Sequence, residues 1–207
     1  MQNATVLIVP GLRDHVADHW QTLLQASLPG SRAVPPLTEN ALNLRARVDA
    51  IDAQIAQIDG PVVLVAHSAG VLMTVHWAAQ HGNANGKVHG ALLATPPDMA
   101  SAWPSKYPTP ETLAEHGWTP LPRGPLPFAS IVAASSTDPL ASMKAVLAMA
   151  ADWGSDVVDL GNVGHLNPAS GYGPWPMAEE LLARLLLSQR LMLAEMPGSS
   201  QPEASLS

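Results

Sequence analysis

Residues 62–79 read VVLVAHSAGVLMTVHWAA, and within this stretch the apolar pattern changes from that of a strand to that of a helix. The run Val62–Val65 is continuous, apolar and mostly β-branched, which is typical of a strand buried on both faces of a sheet. From Gly70 onward the apolar residues recur at steps of three and four, as on the buried face of a helix. We therefore predict a strand, a sharp turn at residues 66–70 that carries Ser68, and a helix.

The predicted turn has the form of a nucleophile elbow, the G-x-S-x-G motif that exposes a serine at the carboxyl edge of a sheet. Ala66 stands in the position of the first glycine, and its small side chain still permits strand and helix to cross closely. The alternative is an ordinary strand-to-helix loop of a dinucleotide-binding domain, but such a loop needs a run of glycines that is missing here. The motif therefore favours a nucleophilic role for Ser68.

Strand and helix patterns alternate along the chain on both sides of this turn. The apolar runs that predict strands are 5–9, 31–34, 62–65, 88–93, 128–134 and 157–160. The amphipathic patterns that predict helices are 17–26, 42–58, 70–79, 140–151 and 177–192. Because parallel strands are joined by right-handed crossovers, this order predicts an α/β fold of about six mostly parallel strands with helices on both faces.

One segment interrupts the alternation. Residues 96–127 contain nine prolines, with Trp103, Tyr107 and Trp118 among them, and this composition excludes a long helix. The segment leaves the fourth strand at the edge where the elbow opens, and its aromatic side chains need a surface on which to pack. We predict that residues 95–128 form a lid-like excursion and that the three aromatic residues line a substrate pocket. A disordered insert is the alternative.

The composition limits the classes of partner. The 207-residue chain carries a formal charge of −7 with few, scattered Lys and Arg, which argues against nucleic acid or an anionic membrane as a partner. It has no cysteine, which excludes a thiolate nucleophile and a disulfide framework.

We predict a single domain at residues 1–195 and a flexible, polar tail at 196–207. We find neither a signal-peptide pattern nor an apolar run near the ~20 residues of a membrane span, so we expect a cytoplasmic protein.

A serine nucleophile needs a histidine base and an acid that orients the base, and both are expected at the carboxyl ends of later strands. Asp138 follows the fifth predicted strand and His165 follows the sixth, which reproduces the serine, aspartate, histidine order of α/β hydrolases. Asp98, after the fourth strand, is a competing acid. We favour Asp138 because Pro139 begins the next helix and so fixes the aspartate at the sheet edge.

Acyl transfer also needs backbone N–H groups that bind the oxyanion of the tetrahedral intermediate. One candidate is Ala69, at the start of the elbow helix, where the helix dipole favours negative charge. The other is Leu12, which follows the permissive Gly11 in the loop after the first strand.

Other histidines suggest different interpretations. His15 and His19 lie four residues apart and could form a metal pair on one helix face, but no third ligand is near in sequence, so we expect no metal. His67, beside Ser68, is expected to pack or to form a hydrogen bond within the elbow rather than to act as the base. The remaining histidines are expected at the surface: His76, His81, His89 and His116.

Four segments together resemble a known family: VPGLRDHVADHWQ (9–21), VAHSAG (65–70), SSTDP (135–139) and, most specifically, WGSDVVDLGNVGHLNPASGYGPWP (153–176). They are similar to the small bacterial serine hydrolases of the α/β-hydrolase superfamily, akin to the retinoblastoma-binding-protein-9 group, over about residues 5–190. The resemblance implies a compact α/β-hydrolase fold, a triad of Ser68, Asp138 and His165, and no cofactor.

We therefore expect a serine hydrolase that cleaves small carboxylic esters or amides through an acyl-enzyme on Ser68. His165 would act first as base and then as acid, and Asp138 would hold its ring. The rival hypothesis is a binding or scaffold protein that keeps this fold without turnover. An intact triad argues against the rival.

Overall fold

A computed structural model describes residues 4–195, with side chains as far as Leu187. The strands are β1 (Thr5–Val9), β2 (Arg32–Ala33), β3 (Val62–His67), β4 (Val88–Ala94), β5 (Ala129–Ala134) and β6 (Asp156–Asp159). The helices are α1 (Trp20–Ser27), α2 (Leu44–Ala56), α3 (Ala69–His81), α4 (Pro110–Glu115), α5 (Met143–Trp153) and α6 (Met177–Glu195), and a 3₁₀ turn covers Pro168–Ser170. The tail predicted at 196–207 lies outside the described residues.

The strands form one six-stranded sheet in the order β2-β1-β3-β4-β5-β6, and each neighbouring pair is parallel. This arrangement confirms the predicted α/β fold class. β3 lies inside the sheet between β1 and β4, and all six of its residues are buried. Its position explains why the strand before the elbow has apolar residues without alternation.

Helices cover both faces of the sheet, and each face has its own apolar core. On one face the sheet packs against α2, α3 and α5, whose buried residues include Val48, Ile51, Leu72 and Val146. On the other face it packs against α1 and α6 through Trp20, Leu24, Leu181 and Leu182. Successive residues of β1 belong to opposite cores, with Leu7 in the first and Ile8 in the second.

The chain order creates a crevice at the carboxyl edge of the sheet. From β1 the chain crosses to β2 on one side, and β3 then lies on the other side of β1. In open α/β sheets such a switch of direction is where ligands bind, because the loops after the two strands diverge. The loop that begins at Pro10 and the turn at Ser68 therefore face each other across this crevice.

Two predicted regions differ in detail from the structure. β3 continues through His67 and α3 begins at Ala69, so Ser68 alone forms the turn predicted at residues 66–70. The segment 95–128 connects β4 to β5 and contains only the six-residue helix α4 within its described length. Within residues 4–195 no helix combines the length and apolar character needed to cross a bilayer.

Candidate active site

Ser68 occupies a strained backbone conformation between β3 and α3. Its φ is 57° and its ψ is −127°, a combination that costs free energy for a residue with a Cβ. The surrounding backbone holds it there, because its N–H donates to the Ala94 carbonyl (3.0 Å) and its carbonyl accepts from the Val71 N–H (2.9 Å). This is the geometry expected of a nucleophile elbow.

Two glycines allow the β1–α1 loop to approach the elbow. A Cβ on Gly70 would lie 2.3 Å from the Val9 carbonyl oxygen and 2.8 Å from that of Pro10, so a side chain here would displace the backbone. A Cβ on Gly11 would lie 3.4 Å from the Cβ of Ser68. The G-x-S-x-G motif predicts a small residue at position 70. The structure gives the reason, because the carbonyls of Val9 and Pro10 lie where a Cβ of residue 70 would be.

Ser68, His165 and Asp138 form a continuous hydrogen-bonded chain. The Ser68 hydroxyl lies 2.8 Å from His165 Nε2, and His165 Nδ1 lies 2.9 Å from each carboxylate oxygen of Asp138. The carboxylate also accepts the Leu140 N–H at 2.9 Å. The side chains of His165 and Asp138 are 3% and 1% exposed. Because a carboxylate only accepts, Nδ1 carries the proton and Nε2 is free to accept from the serine.

The loop that carries His165 is fixed from three directions. The His165 N–H donates to Ser170 Oγ (3.1 Å), and the preceding Gly164 N–H donates to Thr137 Oγ1 (3.0 Å). The His165 carbonyl accepts from Nε2 of His67 (2.9 Å). The imidazole that faces Ser68 is therefore held by its own backbone as well as by Asp138.

Asp98 uses its carboxylate within its own turn. One oxygen accepts the Ala100 N–H (2.9 Å) and the other accepts the Ser101 hydroxyl (2.5 Å). Its backbone carbonyl accepts the indole N–H of Trp103 (2.9 Å). In this geometry Asp98 organises the start of the 95–128 segment, whereas Asp138 contacts the histidine.

Two further histidine rings lie behind His165. The His67 ring is 5.0 Å from that of His165 and 4.6 Å from that of His19, between ring centroids. Burial, followed by the neighbouring His165 and His19, lowers the pKa of His67 well below its ordinary value. Burial also lowers the pKa of His19 to about 4, with a smaller contribution from His165 in the same direction. Both rings are therefore neutral at pH 7.

His15 and His19 do not form the helical pair considered above. α1 begins only at Trp20, and His19 is its N-cap, with Nδ1 accepting the Gln21 N–H (3.2 Å). The described residues contain no group of three or more His, Asp or Glu that could hold a metal ion. His76 also differs from its expected surface position, because it is buried and its Nε2 donates to the Trp118 carbonyl (3.2 Å).

The two N–H groups predicted to bind an oxyanion border the cavity at Ser68. Leu12 and Ala69 both line it, one from the β1–α1 loop and one from the first turn of α3. Within the described part of the chain, neither N–H donates to a backbone carbonyl. Unused donors at this position are what a developing negative charge requires.

The cavity beside Ser68 has a volume of about 160 Å³. Trp103 and Tyr107 of the 95–128 segment line it, and Tyr107 packs edge-on against His165 with ring centroids 6.0 Å apart. The prediction for Trp118 is wrong, since this residue does not line the cavity. Its side chain is fully buried in the core under α2 and α3, and its indole N–H donates to the Leu42 carbonyl (2.7 Å).

Sequence reasoning missed two charged residues that line the same cavity. Arg13 follows Leu12 in the β1–α1 loop, and Lys106 precedes Tyr107 in the 95–128 segment. Both cationic groups lie near the Tyr107 ring, with Lys106 Nζ at 5.4 Å and Arg13 Cζ at 5.9 Å from its centroid. The sequence signal that could have identified them is their position, since Arg13 is next to Leu12 and Lys106 is next to Tyr107, and both neighbours were predicted site residues.

Comparison with known proteins gives a family and a fold. A model of a family described as serine hydrolase matches residues 6–184. The structure is similar to that of a YdeN-like hydrolase from Pectobacterium atrosepticum, with 27% sequence identity, coverage of 88% of this chain and 90% of that chain, and a TM-score of 0.74. No protein among the curated ones matches the chain.

Two more distant structures agree in fold. The ydeN gene product of B. subtilis is 18% identical, with coverage of 89% of this chain and 99% of that chain and a TM-score of 0.69. An α/β superfamily hydrolase from Oenococcus oeni is 12% identical, with coverage of 91% and 93% and a TM-score of 0.60. The family match over residues 6–184 and the 27% identical YdeN-like hydrolase, together with this shared fold, confirm the α/β-hydrolase superfamily predicted from the sequence.

Proposed function

Because the chain belongs to the serine hydrolase family, we propose that it hydrolyses small carboxylic esters through an acyl-enzyme formed on Ser68. The observation that supports this proposal most strongly is the hydrogen-bonded chain from Ser68 through His165 to Asp138. Amides contain the same acyl carbonyl and are the second substrate class for this site. An amine is a poorer leaving group than an alcohol, so we expect esters to react faster.

In the proposed mechanism each group has one role. His165 Nε2 takes the Ser68 proton as Oγ attacks the carbonyl carbon, and the N–H groups of Leu12 and Ala69 stabilise the oxyanion. The imidazolium then protonates the departing alcohol as the acyl C–O bond breaks. A water molecule, deprotonated by His165, attacks the acyl-enzyme and releases the acid and free Ser68. Asp138 keeps the ring oriented and stabilises its positive charge in both halves of the reaction.

The cavity favours small substrates. The cavity at Ser68, at about 160 Å³, is smaller than the roughly 300–1,000 Å³ of pockets that hold drug-sized ligands. This capacity suits a short acyl chain or a single aromatic ring with its ester. We therefore expect acetate and butyrate esters of small alcohols or phenols to be hydrolysed.

A fluorophosphonate probe separates this proposal from that of a non-catalytic scaffold, because only an activated serine reacts with it. We expect wild-type protein to be labelled and to hydrolyse 4-nitrophenyl acetate, with both activities absent in Ser68→Ala. The loss of kcat should be on the order of 10⁴- to 10⁶-fold.

The matched control is Ser27→Ala. Ser27 is an exposed serine at the end of α1, where its hydroxyl donates to the Leu24 carbonyl. This variant should be labelled and should turn over like the wild type. Undiminished ester turnover by Ser68→Ala would contradict the proposal, and failure of the wild type to react with either reagent would favour the scaffold.

A further inference from the structure

Two positive charges lie at the cavity without a carboxylate partner. Arg13 comes from the β1–α1 loop and Lys106 from the 95–128 segment. In the part of the chain that the structure describes, neither side chain forms an ion pair. Both side chains extend over the Tyr107 ring instead.

The other titratable groups of the cavity do not neutralise them. Asp14 also lines it, but its carboxylate is paired with the buried guanidinium of Arg47. His19 and His67 carry no negative charge in any state and add no positive charge at pH 7, because burial lowers the pKa of each. A chain with a net charge of −7 therefore has two unpaired cations beside its candidate nucleophile.

The position of Tyr107 identifies the part of the substrate that these cations face. In ester hydrolysis the alcohol oxygen must approach His165 Nε2, which protonates it as the bond to the acyl carbon breaks. Tyr107 packs edge-on against the His165 ring, at 6.0 Å between centroids, and the two cations lie near the same tyrosine ring. An alcohol portion that leaves His165 Nε2 along the Tyr107 ring would therefore reach Arg13 and Lys106.

We propose that the substrate carries an anionic group, such as a carboxylate, on its alcohol portion. This proposal rests on the proposed function. Hydrolysis breaks the bond between the acyl carbon and the alcohol oxygen, transfers the acyl group to Ser68 and then to water, and releases an alcohol that keeps its negative charge. Arg13 and Lys106 bind that charge before and during the first half of the reaction.

The competing explanation is that the two cations only hold Tyr107 in place through cation–π contacts. In that case, removing them would displace Tyr107 and would slow neutral and anionic esters by the same factor. A ratio of rates for a matched pair of esters distinguishes the two explanations, because a purely structural loss cancels from it.

The test compares 4-acetoxybenzoate with methyl 4-acetoxybenzoate, in which the carboxylate is replaced by a neutral ester. In both compounds the measured reaction is hydrolysis of the acetyl ester, monitored by release of the phenol. A second pair carries the charge on the acyl side: mono-4-nitrophenyl adipate and 4-nitrophenyl hexanoate. The ratio of kcat/KM for the anionic ester to that for the neutral ester is measured for the wild type, Arg13→Gln, Lys106→Gln and the double variant. Lys87→Gln is the control, because Lys87 lies just before β4 at the opposite edge of the sheet.

We expect the ratio for the acetoxybenzoate pair to fall by about fivefold in each single variant and by more than about tenfold in the double variant, as expected for partly screened charges. Lys87→Gln should have the wild-type ratio. Raising the NaCl concentration to ~1 M should lower the wild-type ratio toward that of the double variant, because salt screens exposed charges.

Three results would contradict the inference in distinguishable ways. Equal ratios in the wild type and the double variant, with neutral esters still hydrolysed by the wild type, would overturn the anionic substrate and leave the proposed function intact. A charge preference confined to the adipate pair would overturn the placement on the alcohol side. Absence of phenol release from all four esters by the wild type would overturn the proposed function, and this inference with it.

Discussion

The elbow at Ser68 and the 95–128 segment both lie at the carboxyl edge of the sheet, but the elbow joins a central strand directly to a helix, whereas the segment contains only the short helix α4. The elbow is held by main chain: Ser68 bonds to Ala94 and Val71, and Gly70 packs directly against the carbonyls of Val9 and Pro10. The strand that leads into it has a hydrogen-bonded neighbour on each side. A change in its position would disrupt the centre of the sheet.

The 95–128 segment is held at separate points, by main-chain hydrogen bonds at Thr95, Asp98, His116 and Leu126 and by indole N–H groups. Trp103 donates to the Asp98 carbonyl within the segment, and Trp118 donates to the Leu42 carbonyl outside it. Trp153 of α5 donates from the other direction, to the Pro122 carbonyl (3.2 Å). Apart from the short α4, the described segment has no helix or strand of its own.

The residues proposed to carry out bond making and those proposed to select the substrate lie in these two different regions. The groups assigned to bond making, Ser68, Asp138 and His165, all follow strands of the sheet, where backbone position is rigidly defined. The groups assigned to substrate binding, Trp103, Lys106 and Tyr107, are on a segment in which only the short α4 is regular. The central expectation is that mutations at the sheet edge change kcat for every ester, whereas mutations in the segment change preference among esters.

The largest effect should distinguish the two aspartates, since Asp138 lies at the end of β5 and Asp98 lies in the 95–128 segment. Asp138→Asn should lower kcat on 4-nitrophenyl acetate by about 10⁴-fold, because the amide no longer holds the required tautomer of His165. Asp98→Asn should lower it by less than about tenfold. The reverse ranking, in enzyme whose folding is checked by circular dichroism, would place the catalytic acid in the segment.

Trp118→Ala should be the most destabilising change within the segment. The indole is fully buried and its hydrogen bond ties the segment to Leu42, so truncation should cost about 3–5 kcal/mol in the free energy of unfolding, measured in urea. The ratio of kcat/KM for butyrate and acetate esters, measured on the folded fraction, should stay at its wild-type value. A changed ratio would mean that Trp118 contributes to the substrate pocket.

Gly70→Ala tests how closely the elbow is packed. The new methyl group would meet two carbonyl oxygens at less than contact distance, so we expect a loss of about 2 kcal/mol in unfolding free energy and a lower kcat for all esters. Gly173→Ala is the control, since a Cβ there meets its nearest neighbours at ordinary contact distances. Equal stability of the two variants would mean that the elbow has room to shift.

Trp103→Ala should have the smallest effect and the most selective one. Trp103 lines the cavity, so its truncation should weaken kcat/KM for butyrate esters relative to acetate esters by about 1 kcal/mol, or about fivefold. The measurement is the ratio of the two rates in the variant and in the wild type. Equal losses for both esters would assign Trp103 a structural role only.

The sheet and the residues around the elbow were predictable because each depends on local pattern. The continuous apolar run before Ser68 and the helical spacing after it define β3 and α3 without reference to the rest of the chain. Asp138 and His165 were identified by their positions after predicted strands, since parallel strands bring their carboxyl ends to one edge. The width of the turn was overestimated because small residues are compatible with both a turn and the ends of regular elements.

The side-chain placements in the 95–128 segment were less predictable, since no periodicity indicates where an aromatic residue points. Trp103 and Trp118 have similar sequence surroundings, but one lines the cavity and the other lies in the core against α2 and α3. The buried position of His76 has the same origin, because its partner is the carbonyl of Trp118. Such contacts join residues far apart in sequence, and composition alone does not specify them.

The proposal of an acyl-enzyme on Ser68 is tested most directly by identifying the acylated residue. Protein mixed with excess 4-nitrophenyl acetate is quenched in acid during turnover, digested and analysed by tandem mass spectrometry. We expect one acetyl group on the peptide that contains Ser68, located on that serine, and none in Ser68→Ala. Turnover with the acetyl group on another residue, or with no acylated residue at all, would contradict it.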